Sequence, residues 1–158
     1  LGQSAEQTAR EMRDGLAMGL DRSLLIARTE LNRAYRTGST EQYRQSGVVV
    51  KFKRLVARDE ACLACIILDG EEFELAEELS DLPSGRCSVV CVVAGVSEPT
   101  WETAGVWFAA QPESKQREIM GNTRYELYKN WTPLEAFATR RHSDEWGDSP
   151  AIVPIKDL

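Results

Sequence analysis

Three cysteines in the middle of the chain have the residue type and spacing that could hold a metal ion. Cys62 and Cys65 form a Cys-x2-Cys pair, and Cys87 follows 22 positions later. Two thiolates at this spacing can share a zinc ion, and a third thiolate from a later segment can join them. The sequence therefore predicts Cys62, Cys65 and Cys87 as candidate metal ligands. Reduced structural thiols, or a disulfide from Cys62 or Cys65 to Cys87, are the alternatives.

The fourth ligand of such a site is left open. Cys91 lies in the same β-branched run as Cys87, and side chains four residues apart in a strand are about 13 Å apart, too far to share one ion. We therefore expect Cys91 to be an apolar filler. Water, an acid such as Asp81, or the only histidine, His142, would have to complete the site.

Signatures of catalysis are scarce in this chain. It contains no Gly-rich phosphate loop, no Gly-x-Ser-x-Gly elbow and no His-Glu-x-x-His sequence. One histidine leaves few general bases, so we expect neither an enzyme nor a small-molecule substrate. The tail at residues 132–148, with His142 and Asp144, is the segment that a small nuclease or toxin-like domain would use, and this remains a third alternative.

Charge is distributed unevenly along the 158 residues, whose net charge is −6. Residues 1–58 carry eleven basic against six acidic residues, whereas residues 59–81 carry nine acidic residues and no basic one. Binding to duplex DNA normally requires a basic excess, so this balance argues against it. No apolar run approaches the roughly 18 residues of a membrane helix, and we expect no membrane partner. Because the chain begins at Leu1 without methionine, we expect a fragment of a longer polypeptide.

Periodicity predicts three parts of one compact domain. Residues 1–46 form the helical part, with helices at 5–20 and from Asp21 until Gly38 breaks the second, and a further turn at 42–45. Residues 47–97 form a small β-sheet with a cysteine loop, in which segments 48–56 and 86–93 pair antiparallel. Residues 98–158 form C-terminal helices and a tail, with helices at 113–120, 124–131 and 132–139. The predicted class is α+β: N-terminal helices, a small antiparallel β-sheet with a cysteine-containing hairpin loop, and short C-terminal helices.

Two finer patterns predict which side chains face the core. In the second helix, Leu24, Ala27, Leu31, Ala34 and Tyr35 form one apolar stripe. In the first strand, Val48, Val50 and Phe52 share a face opposite Val49, Lys51 and Lys53. Arg140, Arg141 and His142 are interpreted as the charged end of the last helix.

An ordered set of motifs resembles the phage Mu F-like minor head proteins, also called head morphogenesis proteins, over about residues 20–130. Each motif is modest, and their order makes the resemblance specific. They are Ile26-Ala27-Arg28-Thr29-Glu30, the valine-rich strand, Asp59 with the Cys-x2-Cys pair, Leu68-Asp69-Gly70 with Phe73, Pro83-Ser84-Gly85-Arg86-Cys87-Ser88-Val89-Val90, Trp107-Phe108, Gln111, Gln116-Arg117-Glu118-Ile119-Met120-Gly121 and Arg124.

The resemblance implies a structural protein of a phage or prophage head that acts in capsid assembly near the portal. Its partners would be portal and capsid or scaffold proteins, with DNA contacts through regions outside this chain. It would reside in the virion interior, and in the cytoplasm of the bacterial host before assembly. A zinc-stabilised nucleic-acid-binding module is the alternative function.

The resemblance also bears on individual residues. Relatives often have a histidine where this chain has Leu82, and its absence removes a metal ligand, so no cofactor is expected and zinc is the alternative. Arg28 and Glu30, on the second helix, are predicted to pair with Asp69 or Arg86 in a structural polar network.

Overall fold

A computed structural model describes residues 4–16, 19–97 and 100–158 of the chain. Within these ranges there are six α-helices and five β-strands, and the predicted α+β class is confirmed. The helices are α1 (Ala5–Leu16), α2 (Leu20–Gln45), α3 (Leu63–Ile67), α4 (Ala104–Ala109), α5 (Glu113–Met120) and α6 (Asn122–Lys129). The strands are β1 (Val49–Leu55), β2 (Glu72–Glu74), β3 (Ser88–Val93), β4 (Ala138–Ser143) and β5 (Gly147–Ile152).

The two N-terminal helices pack against each other. The backbone N–H of Gln7 donates to Ser4 Oγ at 3.2 Å, which caps the N-terminus of α1. The first helix was expected to extend through residue 20, but α1 ends at Leu16 and Leu20 already begins α2. Residues 17 and 18 of the expected helix lie outside the described residues.

Helix α2 continues through Gly38, where the sequence predicts its end. A glycine in a helix interior costs about 1 kcal/mol relative to alanine, which tertiary contacts can offset. In the last turn of α2, the Arg44 guanidinium donates to the backbone carbonyls of Leu75 and Glu77. These contacts stabilise the part of α2 that follows the glycine, including the segment 42–45 that was expected to form a separate turn.

We expect Gly38→Ala to raise the free energy of unfolding by about 0.5–1 kcal/mol, because alanine reduces the backbone entropy lost on folding. Apart from the backbone of α2 and its two chain neighbours, no described atom lies within 4 Å of a Cβ built there. Urea denaturation would measure the change. Gly47→Ala is the matched control, because φ is +70° at Gly47 and a side chain there should destabilise the protein. A loss of stability in Gly38→Ala would contradict a continuous helix.

Strands β2, β1 and β3 form an antiparallel sheet in that order. In the central strand, Phe52 lies opposite Phe73 of β2 and Cys91 of β3. The predicted antiparallel pairing of the two β-branched segments is confirmed, with each strand slightly shorter than expected. The chain between β1 and β2 carries α3, so the hairpin loop contains the Cys-x2-Cys pair as predicted.

A register shift between Val49 and Lys51 changes which residues of β1 face the core. Val49 is buried and Val50 is exposed, whereas Phe52 and Arg54 are both buried after the shift. The prediction that Val48 and Val50 share the buried face with Phe52 is therefore wrong. A bulge adds one residue to one strand, so the period-two alternation restarts on the opposite phase. It also places an arginine on the buried face.

The C-terminal part contains the predicted short helices but ends differently. Helices α5 and α6 agree closely with the predicted segments. The expected helix at 132–139 is only a 3-10 turn at Leu134–Phe137, and the following tail forms an antiparallel β4–β5 hairpin. Arg140, Arg141 and His142 lie in β4 and do not end a helix, so that interpretation is wrong.

The β4–β5 hairpin is anchored in the core by the residue that immediately precedes it. Phe137 is fully buried, and its carbonyl accepts a hydrogen bond from Val153 N–H at 2.9 Å, which joins the two ends of the hairpin. Pro150 lacks an N–H group and stands opposite Arg140 in this two-stranded sheet. The main core contains residues of the second and third parts of the chain together: Leu63, Ile66, Ala104, Phe108, Met120, Tyr125 and Phe137.

Candidate metal centre

The two cysteines of the Cys-x2-Cys pair stand one turn apart at the start of α3. Cys62 is the residue before the helix, and its carbonyl accepts the Ile66 N–H at 3.0 Å. Residues three apart lie on the same side of a helix. Leu63 and Ile66 point into the main core, whereas Cys65 packs against Val56 and Cys87 in a second, smaller cluster.

The loop before β3 brings an acid and the third cysteine to this position. One ligand atom from each of Cys65, Asp81 and Cys87 lies within 4.8 Å of the others, and all three residues are buried. Cys62 does not lie within that distance of all three, but it lines the cavity beside them, whose volume is about 170 Å³. We call these four residues the cysteine cluster. Its buried Cys65, Asp81 and Cys87 could hold a metal ion.

Hydrogen bonds among the sulfur atoms make the three thiols inequivalent. The Cys65 thiol donates to Cys62, and this contact, together with the nearby backbone N–H groups at the start of α3, lowers the pKa of Cys62 to about 6. Cys65 also bonds Cys87, so loss of its proton would remove both contacts and its pKa is raised. The pKa of Cys87 is lowered, first by the Cys65 thiol and then by the Arg54 guanidinium. The site thus favours anionic sulfur at two of three positions.

Two arginines with little solvent exposure border the cysteine cluster. Arg36 Nη1 lies 2.6 Å from Asp81 Oδ2, and the side chains are 14% and 1% exposed. The same nitrogen donates to the Cys87 carbonyl at 3.1 Å. Arg54 is 1% exposed and donates to the Ser80 carbonyl at 2.8 Å, while its Nη1 is buried without a hydrogen-bond partner among the described residues. The cluster therefore has two positive charges beside its acidic groups.

A polar stripe on α2 holds the loop that carries Cys87. Thr29 Oγ1 accepts the Ser84 N–H at 2.8 Å, and Asn32 Nδ2 donates to the Gly85 carbonyl at 3.1 Å. Together with Arg36, these residues repeat at helical spacing on one side of α2. The sequence prediction missed the stripe, although polar residues at positions i, i+3 and i+7 were the available signal.

The apolar stripe predicted on α2 is buried only in part. Ala27 is buried as expected, but Leu31 is 38% exposed and Tyr35 is 77% exposed. The other buried residues of this helix include Ser23 and Thr29. The hydroxyls of Ser23 and Thr29 donate to the backbone carbonyls four residues earlier, at 3.1 and 2.6 Å. These bonds satisfy the hydroxyls, so polar residues can occupy the buried side.

The predicted polar network of Arg28, Glu30, Asp69 and Arg86 does not form, and that prediction is wrong. The ion-pair partners of the first two are local: Arg28 lies 3.8 Å from Glu6, and Glu30 lies 3.2 Å from Arg33 on the next turn. Arg28 and Glu30 are both exposed, on either side of the buried Thr29 that contacts the loop. Arg86 pairs with Glu60 instead.

Asp69 instead joins two elements through backbone groups. Its Oδ1 accepts the Val56 N–H at 2.9 Å, and its Oδ2 accepts the Ala104 N–H at 2.7 Å. The first bond secures the chain just after β1, and the second secures the first residue of α4. Asp69 is therefore a structural link between the sheet and the C-terminal helices.

We expect Asp69→Asn to lower the free energy of unfolding by about 1–3 kcal/mol, because the amide replaces one acceptor with a donor that faces a backbone N–H. Chemical denaturation would measure the difference. Asp59→Asn, at an exposed position, is the matched control and should have little effect. Equal stability of the Asp69 and Asp59 variants would contradict the role assigned to Asp69.

The candidate His142 and the excluded Cys91 both lie away from the cysteine pair. His142 is on β4 with a side chain that is 69% exposed; its Nδ1 is 2.7 Å from Asp148 and its Nε2 is 3.7 Å from Asp144. Cys91 lies within β3, and burial raises the pKa of its thiol. In the described part of the chain, the ligand-forming group contains neither of them. Asp81 is the sequence candidate that the structure brings to the cysteines.

Comparisons with protein-family models, curated proteins and solved structures found no match to this chain. Among the described residues, no helix has the length and apolar character needed to cross a membrane. The role of the chain is therefore inferred from its residues and their geometry.

Proposed function

We propose that this chain is a structural protein of a phage or prophage head, acting in capsid assembly near the portal. The observation that carries the proposal is the ordered set of Mu F-like motifs between Ile26 and Arg124. Its partners are then portal and capsid or scaffold proteins, and it resides in the virion interior after assembly in the bacterial cytoplasm. It accompanies the DNA at ejection, and it acts by contact rather than by catalysis.

The contacts of the motif residues support a structural role. Asp69 bonds two backbone N–H groups, and the loop at residues 83–87 is held by the polar stripe of α2. Gln116 is buried, and its side-chain amide donates to the carbonyls of Phe108 and Ala109 at 3.0 and 3.1 Å, which joins α4 to α5. In each case a motif side chain bonds backbone groups and so helps to hold the fold together.

Purification of assembled heads would test the proposal. The chain, with an affinity tag, would be expressed together with the portal and major capsid genes of the same phage, and heads would be separated by density gradient. We expect a few copies per head and chemical cross-links to the portal. The tag alone is the control. Recovery of the chain only in the soluble fraction, without portal or capsid cross-links, would overturn the proposal.

A zinc-stabilised nucleic-acid-binding module is the second candidate, and the cysteine cluster is the observation that favours it. The net charge of −6 and the acidic segment 59–81 oppose contact with phosphates. DNA retention by the purified protein that weakens with salt would favour this candidate over the head protein. Without such retention, the nucleic-acid-binding candidate is excluded, and any bound zinc would serve only to stabilise the fold.

A further inference from the structure

We propose that Cys62, Cys65, Asp81 and Cys87 bind one zinc ion, with the Asp81 carboxylate as the fourth ligand. The sequence alone left that ligand open among water, an acid and His142. The site goes beyond the proposed function, because it concerns how this chain holds its fold and does not depend on any head or portal contact.

The positions of three ligand atoms suit a tetrahedral ion. Ligands at the zinc–sulfur and zinc–oxygen distances found in proteins stand about 3.5–3.8 Å apart. Atoms of Cys65, Asp81 and Cys87 already lie within 4.8 Å of one another. Only a small contraction of the side chains is therefore needed to close around an ion, and the cavity beside them supplies the space.

Cys62 supplies the remaining position. It stands one turn before Cys65, bonds the Cys65 thiol and lines the same cavity.

The Asp81 carboxylate has unshared lone pairs available for a metal ion. Its Oδ2 accepts from Arg36 at 2.6 Å and its Oδ1 accepts from the Leu82 N–H at 2.9 Å. An ionised carboxylate offers about four lone-pair positions, so these two bonds leave room for a metal. They also fix the orientation of the carboxylate before any ion arrives, which reduces the entropy lost on binding.

The charges around the cluster match a zinc complex. Three thiolates and one carboxylate around a divalent ion leave two negative charges in a buried site, which is unfavourable without compensation. Arg36 and Arg54 bring positive charge to the cluster. Arg54 also pairs with Glu71 at 3.4 Å, and it retains a buried Nη1 without a hydrogen-bond partner in the described part of the chain. Thiolate ligands favour zinc over magnesium, calcium or manganese.

Direct metal analysis of the wild-type protein is the first test. Protein purified under reducing conditions from zinc-supplemented medium should contain one zinc per chain by mass spectrometry. X-ray absorption at the zinc edge should show three sulfur neighbours and one oxygen. A protein without zinc, or with four sulfur neighbours, would overturn the proposal. A disulfide between any two of the three cysteines in the freshly purified protein would also overturn it.

Variants identify the ligands once zinc is present. Cys87→Ser should lose the ion and the thiolate-to-metal absorption of the cobalt-substituted protein, whereas Cys91→Ser should keep both. Asp81→Asn should weaken zinc binding about tenfold or more, measured by competition with a chromophoric chelator. Equal zinc loss in the Cys87 and Cys91 variants would contradict the assignment. If a variant fails to fold, the X-ray absorption spectrum of the wild-type protein at the zinc edge still tests the ligand set. Because no head protein enters these measurements, their failure is separate from that of the proposed function.

Discussion

Replacing Arg36 with methionine is expected to lower the free energy of unfolding by about 3–5 kcal/mol, since it leaves the buried Asp81 carboxylate without its partner. The Asp81 side chain is 1% exposed, so water cannot take over the lost interaction. Arg36 also donates to the Cys87 carbonyl, and methionine leaves that acceptor unpaired. Chemical denaturation of the protein as purified would measure the loss, and methionine retains most of the apolar stem.

Arg33→Met is the matched control for this prediction. Arg33 lies on the same helix and pairs with Glu30, but those side chains are 45% and 52% exposed. Exposed pairs contribute little to stability, so this variant should remain close to the wild type. Arg36→Lys should be intermediate, because lysine keeps the charge without the planar donor geometry. Equal stability of the Met variants at positions 33 and 36 would show that the buried ion pair does not stabilise the fold.

Replacing Gly85 with alanine is expected to cost about 1–3 kcal/mol or more through overpacking. An ideal Cβ at this position would lie 2.2 Å from Cγ of Asp81, closer than any real contact. Neither side can easily move away. Asp81 is held by Arg36, and Gly85 donates its N–H to the Leu82 carbonyl at 2.7 Å while its own carbonyl accepts from Asn32.

Thermal unfolding would measure the effect of Gly85→Ala, and Gly38→Ala provides the same chemical change at an open position. We expect the two variants to shift the midpoint in opposite directions. A Gly85→Ala protein with the midpoint of the wild type, and with Asp81 unmoved in its structure, would contradict the close approach. Glycine at this position is therefore required for space, because φ at Gly85 is not in the left-handed region.

The cysteine cluster shows which metal ligands sequence spacing can predict and which it cannot. The spacing of Cys62 and Cys65 identifies a local pair, because one helical turn determines its geometry. Cys91 could be excluded as a ligand from the rise of a strand alone. The choice among Asp81, His142 and water could not be made, because those side chains are brought near the pair, or kept from it, by loop and strand packing.

The incorrect predictions about the fold have a common physical cause. Gly38 lowers helix propensity, yet Arg44 anchors the end of α2 to backbone carbonyls more than thirty residues away. The tail at residues 138–152 becomes a hairpin because Phe137 is buried and Val153 closes the ladder behind it. Propensity is a weak preference of about 1 kcal/mol or less per residue, so a few tertiary contacts reverse it.

By itself, the sequence determined the α+β class, the antiparallel pairing of two β-branched segments and the position of the cysteine pair in the hairpin loop that follows the first of them. These features follow from local periodicity, turn residues and spacing, which act over a few residues. Only the tertiary structure decided that Asp81 joins the cysteines, that Arg36 and Arg54 face them, and that Arg28 and Glu30 point elsewhere. These depend on which side of α2 meets the loop and on the bulge in β1, and both are settled by long-range packing and hydrogen bonding.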